Sequence, residues 1–171
     1  MRKIILELAV SLDGLIEGPN GEYDWCFTDQ DYGLSDFLNQ IDAIFMGRKS
    51  YELVQSIEGQ NPWDGIKTYV FSSSLTKVSA GAQIVRADDF RKEVLSLKEQ
   101  PGKDIWLFGG AELITAFMNE GLVDEVRLAV HPIILGSGKP LFQNIRSRKP
   151  LTLTYQKAYS TGLVVLHYTM A

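Results

Sequence analysis

Apolar and polar residues change rhythm twice along this chain, and that rhythm marks out its elements. Lys3-Ile-Ile-Leu-Glu-Leu-Ala-Val10 is an apolar run of buried-strand length. Asp42-Ala-Ile-Phe-Met-Gly-Arg-Lys-Ser-Tyr51 repeats the pattern from Ala43 to Met46, stops at Gly47 and turns into a helix reaching about Val54. A short helix around residues 34–39 precedes it. Lys67–Phe71 and Gln83–Arg86 read as two more strands, after which Phe90, Val94 and Leu97 share one helical face. The run Asp104-Ile-Trp-Leu-Phe-Gly-Gly-Ala-Glu-Leu113 again ends in glycine. Leu113, Ile114, Phe117 and Met118 then keep helical spacing until Gly121 stops the helix. Strand and helix alternate through the first two thirds, which predicts a mostly parallel sheet with crossover helices.

The last third has a different rhythm. Asp124–His131, Leu151–Tyr155 and parts of 163–168 alternate with period two. Only the turn at Ser160-Thr-Gly162 separates the last two, so the sheet should end in an antiparallel hairpin. An apolar hairpin needs cover, and a homodimer contact is one way to supply it. Residues 13–24, with Gly14, Gly18, Pro19, Asn20 and Gly21, read as one long loop, and such loops tend to carry function. Without repeats or linkers, residues 1–171 should form a single domain.

Charge and composition remove several functions. A net charge of -4 and a pI near 5.2 argue against a nucleic-acid partner held by a basic face. The first apolar run is too short to span a membrane and lacks a small-residue cleavage site, so a cytoplasmic protein with no membrane partner is expected. The single Cys26 excludes an internal disulfide or a multi-cysteine metal site, and no metal is expected. Gly136-Ser-Gly-Lys-Pro140 lacks the earlier glycine of a P-loop and carries Pro140 where Ser or Thr should stand, so it reads as a turn between strands. No G-x-G-x-x-G or G-x-S-x-G occurs. His131 and His167 lie in strand patterns and read as structural.

The glycine-ended strands are the candidate chemistry. Each opens a helix whose first N–H groups have no partner within the helix, and the helix dipole favours an anion there. Two such junctions suggest a ligand with more than one phosphate, such as a dinucleotide.

Four segments in order carry a family resemblance: Ala9-Val-Ser-Leu-Asp-Gly-Leu-Ile16 with Asp24-Trp25; Met46-Gly-Arg-Lys-Ser-Tyr51; Phe108-Gly-Gly-Ala-Glu-Leu113; and Gly121-Leu-Val-Asp-Glu125 running on to His131-Pro-Ile-Ile-Leu-Gly-Ser-Gly-Lys-Pro-Leu-Phe142. Together they resemble the dihydrofolate reductase superfamily, most of all the riboflavin-biosynthesis reductase domain (the C-terminal part of the bifunctional deaminase-reductase) in its stand-alone bacterial form. The resemblance implies a three-layer α/β fold, with helices on both faces of a mixed, mostly parallel sheet that ends in an antiparallel hairpin. It implies NADPH as cofactor. Gly47, Arg48, Lys49 and Ser50 would hold phosphate, Ser72, Ser73 and Ser74 the adenosine 2′-phosphate, and Arg86 joins this set. Gly109, Gly110, Ala111 and Glu112 would lie along the pyrophosphate and nicotinamide.

The implied reaction is hydride transfer to a small heterocycle of pterin or aminouracil type. Asp13, Trp25 and Asp31 are its candidate catalytic residues. Counting back from Met46 selects Asp31 as the acid, whereas counting back from Phe37 gives Gly33, with Asp36 nearby. The chain departs from riboflavin reductases at Phe108, where they carry an acid, and after the second strand. Dihydrofolate reductase activity and a non-catalytic NADPH-binding regulatory module therefore stand as alternatives.

Overall fold

In a computed structural model describing residues 1–57, 63, 65–86 and 88–171, long apolar runs become the inner strands of an eight-stranded sheet. Its strands are β1 (Ile4–Ser11), β3 (Ile41–Gly47), β4 (Lys67–Phe71), β5 (Ala82–Val85), β6 (Asp104–Gly109), β7 (Glu125–His131), β9 (Leu151–Ala158) and β10 (Val164–Met170). They lie in the order β5-β4-β3-β6-β1-β7-β10-β9. The six from β5 to β7 are mutually parallel, and β10 runs antiparallel to both β7 and β9. The mixed sheet and its terminal hairpin are those expected from the periodicity.

Inner strands meet apolar layers on both faces, which is why they read as continuous rather than alternating. Ile4, Leu6, Phe45 and Leu107 pack on one face with α3 (Phe90–Glu99) and α4 (Ala111–Asn119). Ile5, Ile44, Met46 and Trp106 pack on the other with α1 (Leu34–Leu38) and α2 (Arg48–Ser56). Among the described residues no helix is long and apolar enough to cross a membrane.

One expectation needs correction. The stretch 13–24 is not all loop, because β2 (Leu15–Glu17) pairs with β8 (Lys139–Pro140) in a separate two-stranded sheet. Gly136-Ser-Gly-Lys-Pro140 thus forms part of a small ribbon. Gly138 has φ +145°, and a Cβ there would stand 2.1 Å from the Glu17 carbonyl oxygen, so only glycine fits.

Candidate functional site

Parallel strands end together, and here four C-terminal ends form one rim. Register pairs Gly47 with Phe71 and Met46 with Gly109, so the ends of β4, β3 and β6 lie side by side. Ser72 follows β4 and Arg86 follows β5. The two glycine junctions, far apart in sequence, touch: a Cβ on Gly47 would lie 3.6 Å from the Gly110 nitrogen, and one on Gly110 would lie 3.2 Å from Ser50 Oγ. Gly47 caps α2 and Gly110 caps α4, and neither helix start receives a side-chain cap. Unpaired N–H groups of both first turns therefore face one bare cleft.

The glycines differ in what they require. Gly109 has φ +121°, a conformation that favours glycine, and the Gly109–Gly110 peptide is cis. Gly47, at φ -77°, could be any residue on backbone grounds, so its role is to leave space.

Beside this cleft the serine loop is held in shape. Ser72 Oγ accepts N–H bonds from Ser74 at 3.2 Å and Leu75 at 3.0 Å. The Arg86 guanidinium donates to the Ser72 carbonyl at 2.7 Å and also to that of Leu75. Ser73 and Ser74 stay exposed. Arg48 donates to both Glu52 carboxylate oxygens, at 3.0 and 2.9 Å. That pair is partly exposed and worth about 0–1 kcal/mol, so an arriving phosphate can displace it. Lys49 and Glu112 are exposed, and Ala111 is buried at the first turn of α4.

From the rim a groove of ≈ 1730 Å³ runs across the sheet. Single drug-sized ligand sites occupy about 300–1,000 Å³, so this groove is larger than one such ligand needs. Phe37, Trp106 and Phe108, packed edge to face, make its far half aromatic, with Phe108 the more exposed of the three.

A carboxylate absent from the sequence-based set, Glu7 of β1, also lines this half. Its Oε2 is buried and has no hydrogen-bond partner among the described residues. Burial pushes its pKa up to about 7, against a smaller opposing pull from Arg127. Arg127 sits in register with Glu7 on β7 but bonds elsewhere. It donates to Glu125 from Nε at 3.1 Å and from Nη2 at 2.7 Å, and to Gln40 Oε1 at 3.1 Å. Burial pushes Glu125 up, yet its hydrogen bonds from Lys3 and Arg127 win and its pKa is lowered. The signal for Glu7 was visible, since it is the one polar residue between Ile4 and Val10. Nothing local marked its partners.

The three candidate catalytic residues lie differently. Asp13 does not line the groove. Its carboxylate accepts from Ser11 Oγ at 2.6 Å and from the N–H groups of Leu135 at 3.1 Å and Gly136 at 2.8 Å. These bonds, that from Ser11 foremost, pull its pKa down to about 2. Asp13 thus carries no proton to give at neutral pH and instead pins the turn after β1 to residues 135–136.

Asp31 does line the groove, but it accepts N–H bonds from Gly33 at 2.9 Å and Ser35 at 3.3 Å ahead of α1. Hydrogen bonding from Ser35 lowers its pKa, and it too is ionised at neutral pH. Trp25 stands edge-on to His131 at 5.3 Å, outside the groove lining, with its Nε1 buried and unpartnered among the described residues.

His131 is structural in a definite sense. Its Nε2 accepts the Phe27 N–H at 3.1 Å while Nδ1 bonds the Ala129 carbonyl at 2.9 Å, which ties the 23–28 segment to β7. Burial pushes the Cys26 thiol up to about 11, so it is no nucleophile.

A glycine-lined cleft at the strand ends of a mostly parallel sheet, with helices on both faces and an antiparallel end, defines the dihydrofolate reductase-like class. Within that class the chain belongs to the RibD C-terminal domain family, whose profile matches residues 2–166. It is 48% identical to the uncharacterized protein YyaP of Bacillus subtilis, over 98% of this chain and 94% of that one. Its fold is similar to that of a Shewanella sp. PV-4 protein named for a provisional place in riboflavin biosynthesis. That match has a TM-score of 0.83 at 24% identity and covers 99% of both chains. Dihydrofolate reductase from Enterococcus faecalis, solved with NADP(H), shares the fold at a TM-score of 0.71 and 16% identity, over 98% of this chain and 96% of that one. The family is one of oxidoreductases of riboflavin-pathway type.

Proposed function

We propose that this protein is an NADPH-dependent reductase that acts on a flat nitrogen heterocycle of pterin or aminouracil type. The observation that carries this reading is the convergence of the Gly47 and Gly109-Gly110 junctions on one cleft, continuous with an aromatic-walled groove. The cleft fits a pyrophosphate: two uncapped helix starts point at backbone that side chains leave bare. Ser73, Ser74 and Arg48, with the loop braced by Arg86, suit a 2′-phosphate. When bound there, the cofactor supplies a hydride. This chain's part is to hold the heterocycle against Phe37, Trp106 and Phe108, keep water out and deliver a proton. Aromatic walls favour a planar substrate through stacking.

Two broader features belong to the same proposal. The half-buried free thiol of Cys26 fits a reducing, cytoplasmic setting. The exposed apolar residues of β9 favour a homodimer.

Isothermal titration with NADPH and NADH tests the cofactor assignment. NADPH should bind more tightly. Arg48→Glu should weaken NADPH by about 1–3 kcal/mol more than NADH, the worth of a charge-assisted bond. Equal affinities in the unchanged protein would remove the roles given to Arg48 and the serines.

A further inference from the structure

Asp31 in the groove and Asp13 outside its lining are held ionised by hydrogen bonds, and burial lowers the pKa of His167. Glu7 is different in kind. It stands on the central strand of the groove floor, with Trp106 on the strand to one side and Arg127 on the strand to the other. The Trp106 indole N–H bonds the Glu7 carbonyl at 2.8 Å, which fixes the ring beside it. The side-chain Oε2 is buried without a partner.

We propose that Glu7 is the proton-delivering residue of this groove, with its carboxyl group, which has one oxygen buried and unpaired, meeting the nitrogen of a substrate C=N bond. This rests on the reductase reading above. In the step, the C=N π bond breaks as a hydride from the reduced nicotinamide dinucleotide adds to carbon. The Glu7 carboxyl proton passes to nitrogen at the same time. New C–H and N–H bonds form, the heterocycle is reduced, the dinucleotide is oxidised, and Glu7 is left as a carboxylate that regains its proton from solvent.

The surroundings favour this role over a structural one. A structural carboxylate in an apolar strand would be expected to pair with the arginine in register with it. Here Arg127 is held by Glu125 and Gln40 and stacks over Phe37 at 5.5 Å, so it pulls on Glu7 only at a distance and forms no hydrogen-bonded pair with it. Other titratable groups near this face include Glu125 on β7, His167 beside Arg127 on β10, Tyr155 on β9, and Asp31 and Asp36, both exposed, before and on α1. Burial dominates the shift of Glu7, and Arg127 opposes it. A pKa near 7 also matches what general acid catalysis at neutral pH needs.

Carbon-13 NMR of the Glu carboxyls in the cofactor-free protein tests this, with 7,8-dihydrobiopterin as the C=N probe. One resonance should titrate with a midpoint of about 7, vanish in Glu7→Gln and shift when the probe is added. With NADPH and the same pterin, Glu7→Gln should lower kcat about 100-fold or more while NADPH binds as before. A Glu7 resonance that titrates at about 4.5, or that the probe leaves unmoved, overturns the assignment. Wild-type kcat in Glu7→Gln does the same, and no wild-type turnover of the pterin overturns the C=N step. Failure of the wild type to bind NADPH is a separate result: it sinks the reductase reading, and the carboxyl titration still decides whether Glu7 meets ligand.

Discussion

A buried acid without a hydrogen-bonded counter-charge makes stability depend on pH in a definite direction. The pKa of Glu7 is raised in the folded protein, from 4.5 to about 7. Below about pH 4.5 both folded and unfolded chains hold the proton, and stability is complete. As pH rises from there through about 7 the unfolded chain ionises first, and stability is lost. A shift of this size corresponds to about 3 kcal/mol, since one pKa unit is worth about 1.4 kcal/mol. Glu7→Gln should therefore gain on the wild type between pH 4.5 and 8, by up to about 3 kcal/mol. Urea unfolding at the two pH values measures this. A constant difference would mean that Glu7 titrates normally. Asp13 carries the opposite sign, because its lowered pKa makes its contribution disappear only in strong acid.

At the scale of elements, what the chain misleads about is pairing over long separations. The long strands and helices were legible, because an apolar run bounded by glycine or turn residues carries its own period. The β2–β8 ribbon was not. Strands of three and two residues show no period, and they exist only because distant segments meet. Asp13 helps to bring them together through its bonds to residues 135 and 136, and Lys139 Nζ meets Glu17 Oε1 at 2.5 Å. Gly138 permits the closest approach. Gly138→Ala should cost at least about 1 kcal/mol, from positive φ and the clash with Glu17. Hydrogen exchange at residues 15–17 should quicken in this variant while the central strands stay protected. Unchanged exchange would count against the ribbon as a unit.

For the whole molecule, the surface that bears on assembly is one sheet edge. β9 is exposed along its whole length, and Leu151, Leu153 and Tyr155 are 38–46% exposed. An apolar edge strand left bare invites pairing with another chain. If two copies cover this edge, the protein should sediment as a dimer and Leu153→Lys should convert it to a monomer with its fold intact. Sedimentation of the unchanged protein as a monomer at tens of micromolar would rule this out.

The sequence by itself determined the order and type of the main elements, the mixed sheet with its terminal hairpin, and the two glycine junctions that suggested a phosphate ligand. Those are local matters of period, glycine placement and unpaired helix starts. Only the tertiary structure decided that β3 and β6 are neighbours, so that Gly47 and Gly110 share one cleft. It also decided which carboxyls are free to act. Asp13 stands in a motif that drew attention and Asp31 was chosen by its spacing from Met46, yet hydrogen bonds tie Asp13 to Ser11 and residues 135–136 and Asp31 to the turn before α1. Glu7 is the one polar residue between Ile4 and Val10 of a hydrophobic strand. Its character came from burial by one set of elements and from an Arg127 held by Gln40 and Glu125, and a charge's surroundings cannot be read from its neighbours in sequence.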